Sequence, residues 1–295
     1  MATIVLLTAT GLGLGALYFL VAAGLSLIFG LMDVLNFAHG ALLSIGAYAT
    51  WWAASGNLPG AGPGGAGFAL AVVFGTAVGT AAAVLLELAV IRPLYSRPRE
   101  QILATVGVSL AVPALLSAIW GADARPFPGP EALAGTFGLL GARIPVNRLV
   151  LIAAALVVLG ALKLFFGRTR HGLVVRAGVE DRAMVTALGI DVRKAFTLVF
   201  AIGGAAAALA GAVGGLYFGS VDPTQGTSLL IFAFVVVVTG GMASVSGAAV
   251  AAVAVGLVQQ FANYYTAAGL GDLSVVVLLA ALLLVRPRGL TGRLA

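Results

Sequence analysis

The stretch "VLNFAHGALLSIG" (34–46) sets Asn36 and His39 in an apolar run that meets no Asp, Glu, Lys or Arg between Asp33 and Glu87. An amide and an imidazole placed this way can do three things. They can hydrogen-bond between helices, which contributes about 0.6–2 kcal/mol per bond in membrane bundles. Asn36 can cap a helix that starts near Phe37, with Gly30 and Asp33 in the turn before it. Or the free N–H groups of a helix start can line a path and meet a carboxylate. The residues themselves leave all three open.

Other chemistry-bearing residues are few. His39 and His171 lie far apart, no His-Glu-x-x-His occurs, and no paired carboxylates suggest acid–base work. No catalytic residue and no metal ligand is therefore assigned. Without cysteine there are no disulfides or thiolate metal sites. Lys163 follows Leu162 and Lys194 follows Arg193, so neither closes a Gly-x-x-x-x-Gly-Lys-Ser/Thr phosphate loop. The chain is expected to bind no cofactor and to split no ATP by that route. Asp33, Glu87, Asp222 and Asp272 fall near the ends of apolar runs, whereas ion-coupled carriers keep ionisable groups at mid-membrane. The pattern is that of a passive path driven from elsewhere.

The elements that hold these residues follow from composition. Of 295 residues, 61% are hydrophobic and 9% charged, where soluble domains are about a quarter charged. Such a chain lacks the polar surface to cover itself in water, and lipid is its solvent. Apolar runs at 5–30, 38–55, 68–91, 102–120, 149–166, 195–218, 228–243, 247–265 and 272–285 predict an all-α, polytopic transmembrane bundle. Eight or nine spans are expected in a single domain, 1–295. Gly-rich interruptions around 33–39 and 240–247 predict broken or re-entrant helices, which makes Gly240 and Gly241 candidates for a helix break or a pathway lining. No Lys or Arg precedes Arg92, so the first run reads as a retained span rather than a cleaved signal.

The net charge of +6 invites a nucleic-acid reading, but the charges cluster between apolar runs and argue for none. Segments 92–100 and 167–194 and the tail from Arg286, with Lys163, collect most of the basic residues; Arg125, Arg143 and Arg148 remain on the other side. That asymmetry places the first group and the C-terminus in the cytoplasm. The outer loop, 121–148, has prolines that break helices, and "FGLLGARIPV" within it suits a short strand or hairpin. In the cytoplasmic loop 168–194, a helix over 176–188 would align Val179, Ala183 and Ala187 on one face. Gly189 would follow as its C-cap and Ile190 just beyond. This helix either docks in a partner's groove or rests on lipid headgroups.

"RAGVEDRAMVTALGI" (176–190) resembles the coupling segment of bacterial ABC-importer permeases. "GLSLIFGLMDVLNFAHGALLSIGAY" is similar to the N-terminal signature of branched-chain amino-acid permeases of the LivH type. "ELAVIRPLYSRPREQILATVGVSL", "VVTGGMASVSGAAVAAVAVG" and "LLLVRPRGLTGR" agree with the same family, in order, from about Leu25 to Arg293. Ser246 departs from a common Pro, and Gln259 from a common Glu. The resemblance implies a half-permease of a bacterial inner (plasma) membrane importer. Its implied partners are a LivM-type permease chain, two ATPase subunits that hydrolyse ATP, and a periplasmic or extracellular solute-binding protein. It also implies ATPase coupling through Arg176, Ala177, Glu180, Ala183, Ala187, Gly189 and Ile190. Asn36, His39, Gly40, Gly240 and Gly241 are candidates for a substrate path, with capping or packing as the other reading of them. Branched-chain or related amino acids are the expected cargo. A stand-alone channel for a small neutral solute such as urea or a short amide is the alternative.

Overall fold

Each of the nine apolar runs lies on a helix in the computed structural model, which describes residues 1–32, 34–180, 191–242, 244–267, 269–286 and 289–290. The helices are α1 (Ala2–Met32), α2 (His39–Trp52), α3 (Gly65–Leu86), α4 (Pro98–Trp120), α5 (Glu131–Ala134) and α6 (Val146–Arg168). They continue as α7 (Arg170–Glu180), α8 (Val192–Phe218), α9 (Gln225–Gly240), α10 (Val245–Tyr265) and α11 (Leu270–Val285). A π turn extends α2 through Ala53–Asn57, and another, Glu87–Ile91, extends α3. The strands are β1 (Arg125–Pro126), β2 (Thr136–Leu139), β3 (Ala142–Pro145) and β4 (Ser220–Val221).

Among the described residues six helices, α1, α3, α4, α6, α8 and α10, are long and apolar enough to cross a membrane. The other three, α2, α9 and α11, have 14, 16 and 16 residues. Full spans need about 20. The expected eight or nine spans thus divide into six long helices and three short ones, and two of the short ones flank the expected breaks.

The bundle winds around α1. Its residues are apolar on every side, which suits a helix enclosed by others, and most of its length is buried. Small residues set the closest crossing. A Cβ on Gly15 would lie 2.6 Å from the Ala252 carbonyl oxygen, and one on Gly256 would lie 2.5 Å from that of Gly11. Gly11 and Gly15 on α1 thus mesh with Ala252 and Gly256 on α10, a reciprocal small-xxx-small contact. By contrast α4 and α6 are mostly exposed. They face the bilayer or another chain.

The loop 121–148 holds the four-residue α5 and is otherwise ordered by short strand pairings. β1 pairs antiparallel with β4, matching Arg125 with Val221. The Trp51 indole donates to the Pro126 carbonyl at 3.1 Å, and the Arg125 guanidinium sits 5.6 Å from the Trp51 ring centre. The expected hairpin is present as β2–β3, Thr136 opposite Pro145 and Leu139 opposite Ala142. Its two-residue turn has φ of 51° at Leu140 and 81° at Gly141. This is the double left-handed turn that favours Asn-Gly. Leu140 is 76% exposed, so its side chain returns little for the backbone cost. Leu140→Asn is expected to raise thermal stability by up to about 1 kcal/mol, read as a higher unfolding midpoint of the detergent-purified protein.

Candidate functional site

The break before α2 lies inside the span. α1 runs through Gly30 to Met32, so Gly30 is not in a turn as the sequence suggested. α2 starts only at His39. The His39 Nε2 meets the carbonyl oxygen of Val21 at 3.1 Å. Val21 is eleven residues, roughly 16 Å of helix, short of the end of α1. The start of α2 is therefore held alongside the last turns of α1.

Asn36 does not cap α2 in the expected way. Ala38 holds the N-cap position, with no side-chain cap bond. The Asn36 Oδ1 instead accepts from the Ala38 amide at 3.1 Å, and its own carbonyl accepts from the His39 amide. This is a local Asx turn that bends the chain into α2 one step earlier. Both Asn36 and His39 are 0% exposed, yet the Asn36 Nδ2 and the His39 Nδ1 have no hydrogen-bond partner. Buried polar atoms are nearly always paired, so two unpartnered ones at a single helix break stand out.

Gly40 lies where α2 meets the start of α9. A Cβ on it would be 2.5 Å from the Gly226 carbonyl oxygen and 2.8 Å from the Gly226 carbonyl carbon. Ser44 ties the same crossing, its hydroxyl accepting from the Gly226 amide at 3.2 Å. Gly240 and Gly241 sit at the other end of α9, roughly 21 Å along its axis. Gly240 packs on Gly247 and Ala248 of α10, and Gly241 has a φ of 97°. The tail covers this end, the Leu290 amide donating to the Thr239 carbonyl at 2.9 Å. The five pathway candidates thus fall into two groups at opposite ends of α9.

On the basic side, α7 spans Arg170–Glu180, starting earlier than the helix expected over 176–188. Ala177 packs against Phe196 of α8. Arg176 lines a cavity shared with Lys163 and Ser244. Glu180 ends the helix. Ala183, Ala187, Gly189 and Ile190 lie outside the described residues.

Two polar constellations were missed at the sequence level. Glu87, 0% exposed, accepts from the Tyr95 hydroxyl at 2.7 Å and from the Thr197 hydroxyl at 2.9 Å. It joins the α3–α4 turn to the start of α8. Tyr18 on α1 donates to the Gln259 Oε1 at 2.6 Å, and the Gln259 Nε2 donates to the Asp272 Oδ1 at 2.6 Å. The only advance signal was that a carboxyl and an amide stood in otherwise apolar runs. Gln259→Leu strips the acceptor from Tyr18 inside apolar surroundings and is expected to cost about 1–3 kcal/mol. Thermal unfolding of the purified variant would register this.

Among the described residues no group of three His, Cys, Asp or Glu could hold a metal. Helix breaks and buried polar atoms without partners suit moving a solute.

Comparisons with known proteins agree in kind. Residues 7–286 match the family described as branched-chain amino acid transport system / permease component. The high-affinity branched-chain amino acid transport system permease protein LivH of Escherichia coli K12 is 29% identical over 292 residues, covering 96% of this chain and 94% of the relative. The corresponding BraD protein of Pseudomonas aeruginosa is 30% identical, with the same coverage. A probable LivH permease of Methanocaldococcus jannaschii is 28% identical over 92% of this chain and 88% of its own length. No solved structure matches. An almost unbroken match from the first helix to the last apolar one, on a polytopic helical bundle, makes this chain a member of the branched-chain amino acid transport system permease family.

Proposed function

We propose that this chain is a membrane-spanning subunit of an importer that carries branched-chain or related amino acids across a bacterial inner membrane. The observation that carries the reading is the match of residues 7–286 to permease components, with relatives named for branched-chain amino acid transport. The chain has no phosphate loop, so energy enters through separate ATPase subunits and the chain itself is no enzyme. A LivM-type companion chain, two ATPases and an external solute-binding protein complete the assembly. The basic loops and the C-terminus face the cytoplasm.

The break before α2 is the natural place for a zwitterion. A carbonyl oxygen such as that of Val21 only accepts, so in a neutral His39 ring the Nε2 carries the proton and the Nδ1 is left as an acceptor. An ammonium group suits that acceptor, and a carboxylate suits the free Asn36 amide donor. Gly40 on one side and Gly240–Gly241 on the other permit the close crossings about which α2 and α9 shift. Arg176, Ala177 and Glu180 on α7, followed by Ala183, Ala187, Gly189 and Ile190, transmit ATPase closure to α8.

The test is gentle detergent purification of the tagged chain from its own membrane, followed by mass spectrometry of the proteins retained. The expected result is a companion permease and an ATPase in stoichiometric amount. A chain that purifies alone, as a homo-oligomer, would contradict the reading.

A further inference from the structure

The seam between α1, α6 and α10 carries two neighbouring cavities, one of mixed polar and apolar lining and one wholly apolar. The first, about 260 Å³, lies at the basic end of the bundle and is lined by Ser26, Lys163, Arg176, Ser244 and Ser246 among others. The second, about 210 Å³, lies deeper and has a wholly apolar lining that includes Gly15, Phe19, Ala155, Leu159, Ala249 and Val253. On each helix the two linings follow one another by about a turn or two. Leu159 gives way to Leu162 on α6, Ala249 to Val245 on α10, and Phe19 to Ser26 on α1.

Three independent features of the first cavity point to an anion. Lys163 and Arg176 both line it, and among the described residues neither is in an ion pair and no Asp or Glu shares the lining. The 21-residue α10 opens there, with Ser244 at its N-cap and Val245 and Ser246 in its first turn, so the positive end of its dipole is presented. Ser26, 1% exposed, lines the cavity with a hydroxyl that has no partner. A serine inside a helix usually satisfies itself on its own backbone, and this one does not.

The apolar cavity says which anion. A free phosphate or carboxylate has no use for a dry groove, whereas a phospholipid has a tail to place in it. From the level of Ser26 to that of Leu12, where the apolar lining ends, is roughly 21 Å along α1. That exceeds the ~15 Å depth of one leaflet's hydrocarbon, so a lipid tail fits along the groove without bending out. We propose that this seam binds one anionic phospholipid of the leaflet on the basic side, with its phosphate at Lys163, Arg176, Ser26 and the start of α10, and one acyl chain along α1, α6 and α10. The lipid bridges α7 to the axle of the bundle.

The test is native mass spectrometry of the full chain, or of its complex, in nanodiscs containing phosphatidylglycerol or phosphatidylcholine. One phosphatidylglycerol is expected per chain, with phosphatidylcholine failing to replace it. Lys163→Gln with Arg176→Gln changes two exposed side chains and is expected to weaken retention roughly thirtyfold. Ala155→Phe fills the tail groove without touching the charges and is expected to weaken it as well. Undiminished retention in both variants would overturn the proposal. So would saturation of the site by inorganic phosphate without lipid, or a companion permease chain cross-linked from a probe at Leu159.

Discussion

Gly40→Ala is expected to lower both the stability of the purified chain and its transport, because there is no room for a methyl group where α2 crosses α9. The new Cβ would stand 2.5 Å from the Gly226 carbonyl oxygen and 2.8 Å from its carbon. These are backbone atoms, so no side-chain rotation relieves the clash and the two helices must part. Overpacking of this kind costs about 1–3 kcal/mol. Parting them also stretches the bond from the Gly226 amide to the Ser44 hydroxyl, now 3.2 Å. The experiment separates two roles for Gly40. A glycine needed only to let solute pass would lose uptake with an unchanged unfolding midpoint. A glycine needed for the crossing loses both together, and a smaller residue opposite cannot rescue it because the opposing residue, Gly226, is already the smallest.

Glu87→Leu is the second large effect, expected at about 1.5–3 kcal/mol. The Glu87 carboxyl is fully buried and receives the hydroxyls of Tyr95 and Thr197. Leucine removes the acceptor for both while keeping the volume roughly constant, so lost hydrogen bonding dominates the change. Thr197 retains a weaker alternative, the Arg193 carbonyl at 3.1 Å, whereas Tyr95 loses its carboxyl acceptor outright. Glu87→Gln keeps an acceptor oxygen and is expected to recover at least half of the stability. Because Glu87 ties the α3–α4 turn to α8, which follows the loop proposed to meet the ATPases, the leucine variant is also expected to uncouple. ATP hydrolysis by the assembled complex would persist while uptake falls, and equal losses of the two would argue for a merely structural role.

The location of the helices was legible because lipid leaves one signal intact, the length of apolar runs between charged segments. The hairpin in the proline-rich loop 121–148 was legible for a related reason, since Leu140-Gly141 sits between short alternating strands. What lipid erases is the contrast between inner and outer faces. The most apolar stretch of α6 is at least as hydrophobic as that of α1, yet α1 is enclosed and α6 is exposed. Hydropathy alone does not separate an axle from a rim. The Asn36–His39 pair stood out by type, but its geometry did not follow: the amide forms an Asx turn to Ala38 rather than a cap, and the imidazole reaches back to Val21. The bridges at Glu87 and Gln259 join residues 110 and 241 positions apart. A single sequence carries no local mark of such pairings.

The most direct measurement of the central claim is the flux of labelled leucine into proteoliposomes holding this chain, first alone and then with its companion permease, ATPases and loaded binding protein. Transport is predicted only for the complete assembly and only with ATP, and it should fall when Asn36 or His39 is replaced by leucine in a chain that still assembles. Leucine flux through this chain alone, without ATP or partners, would contradict the account.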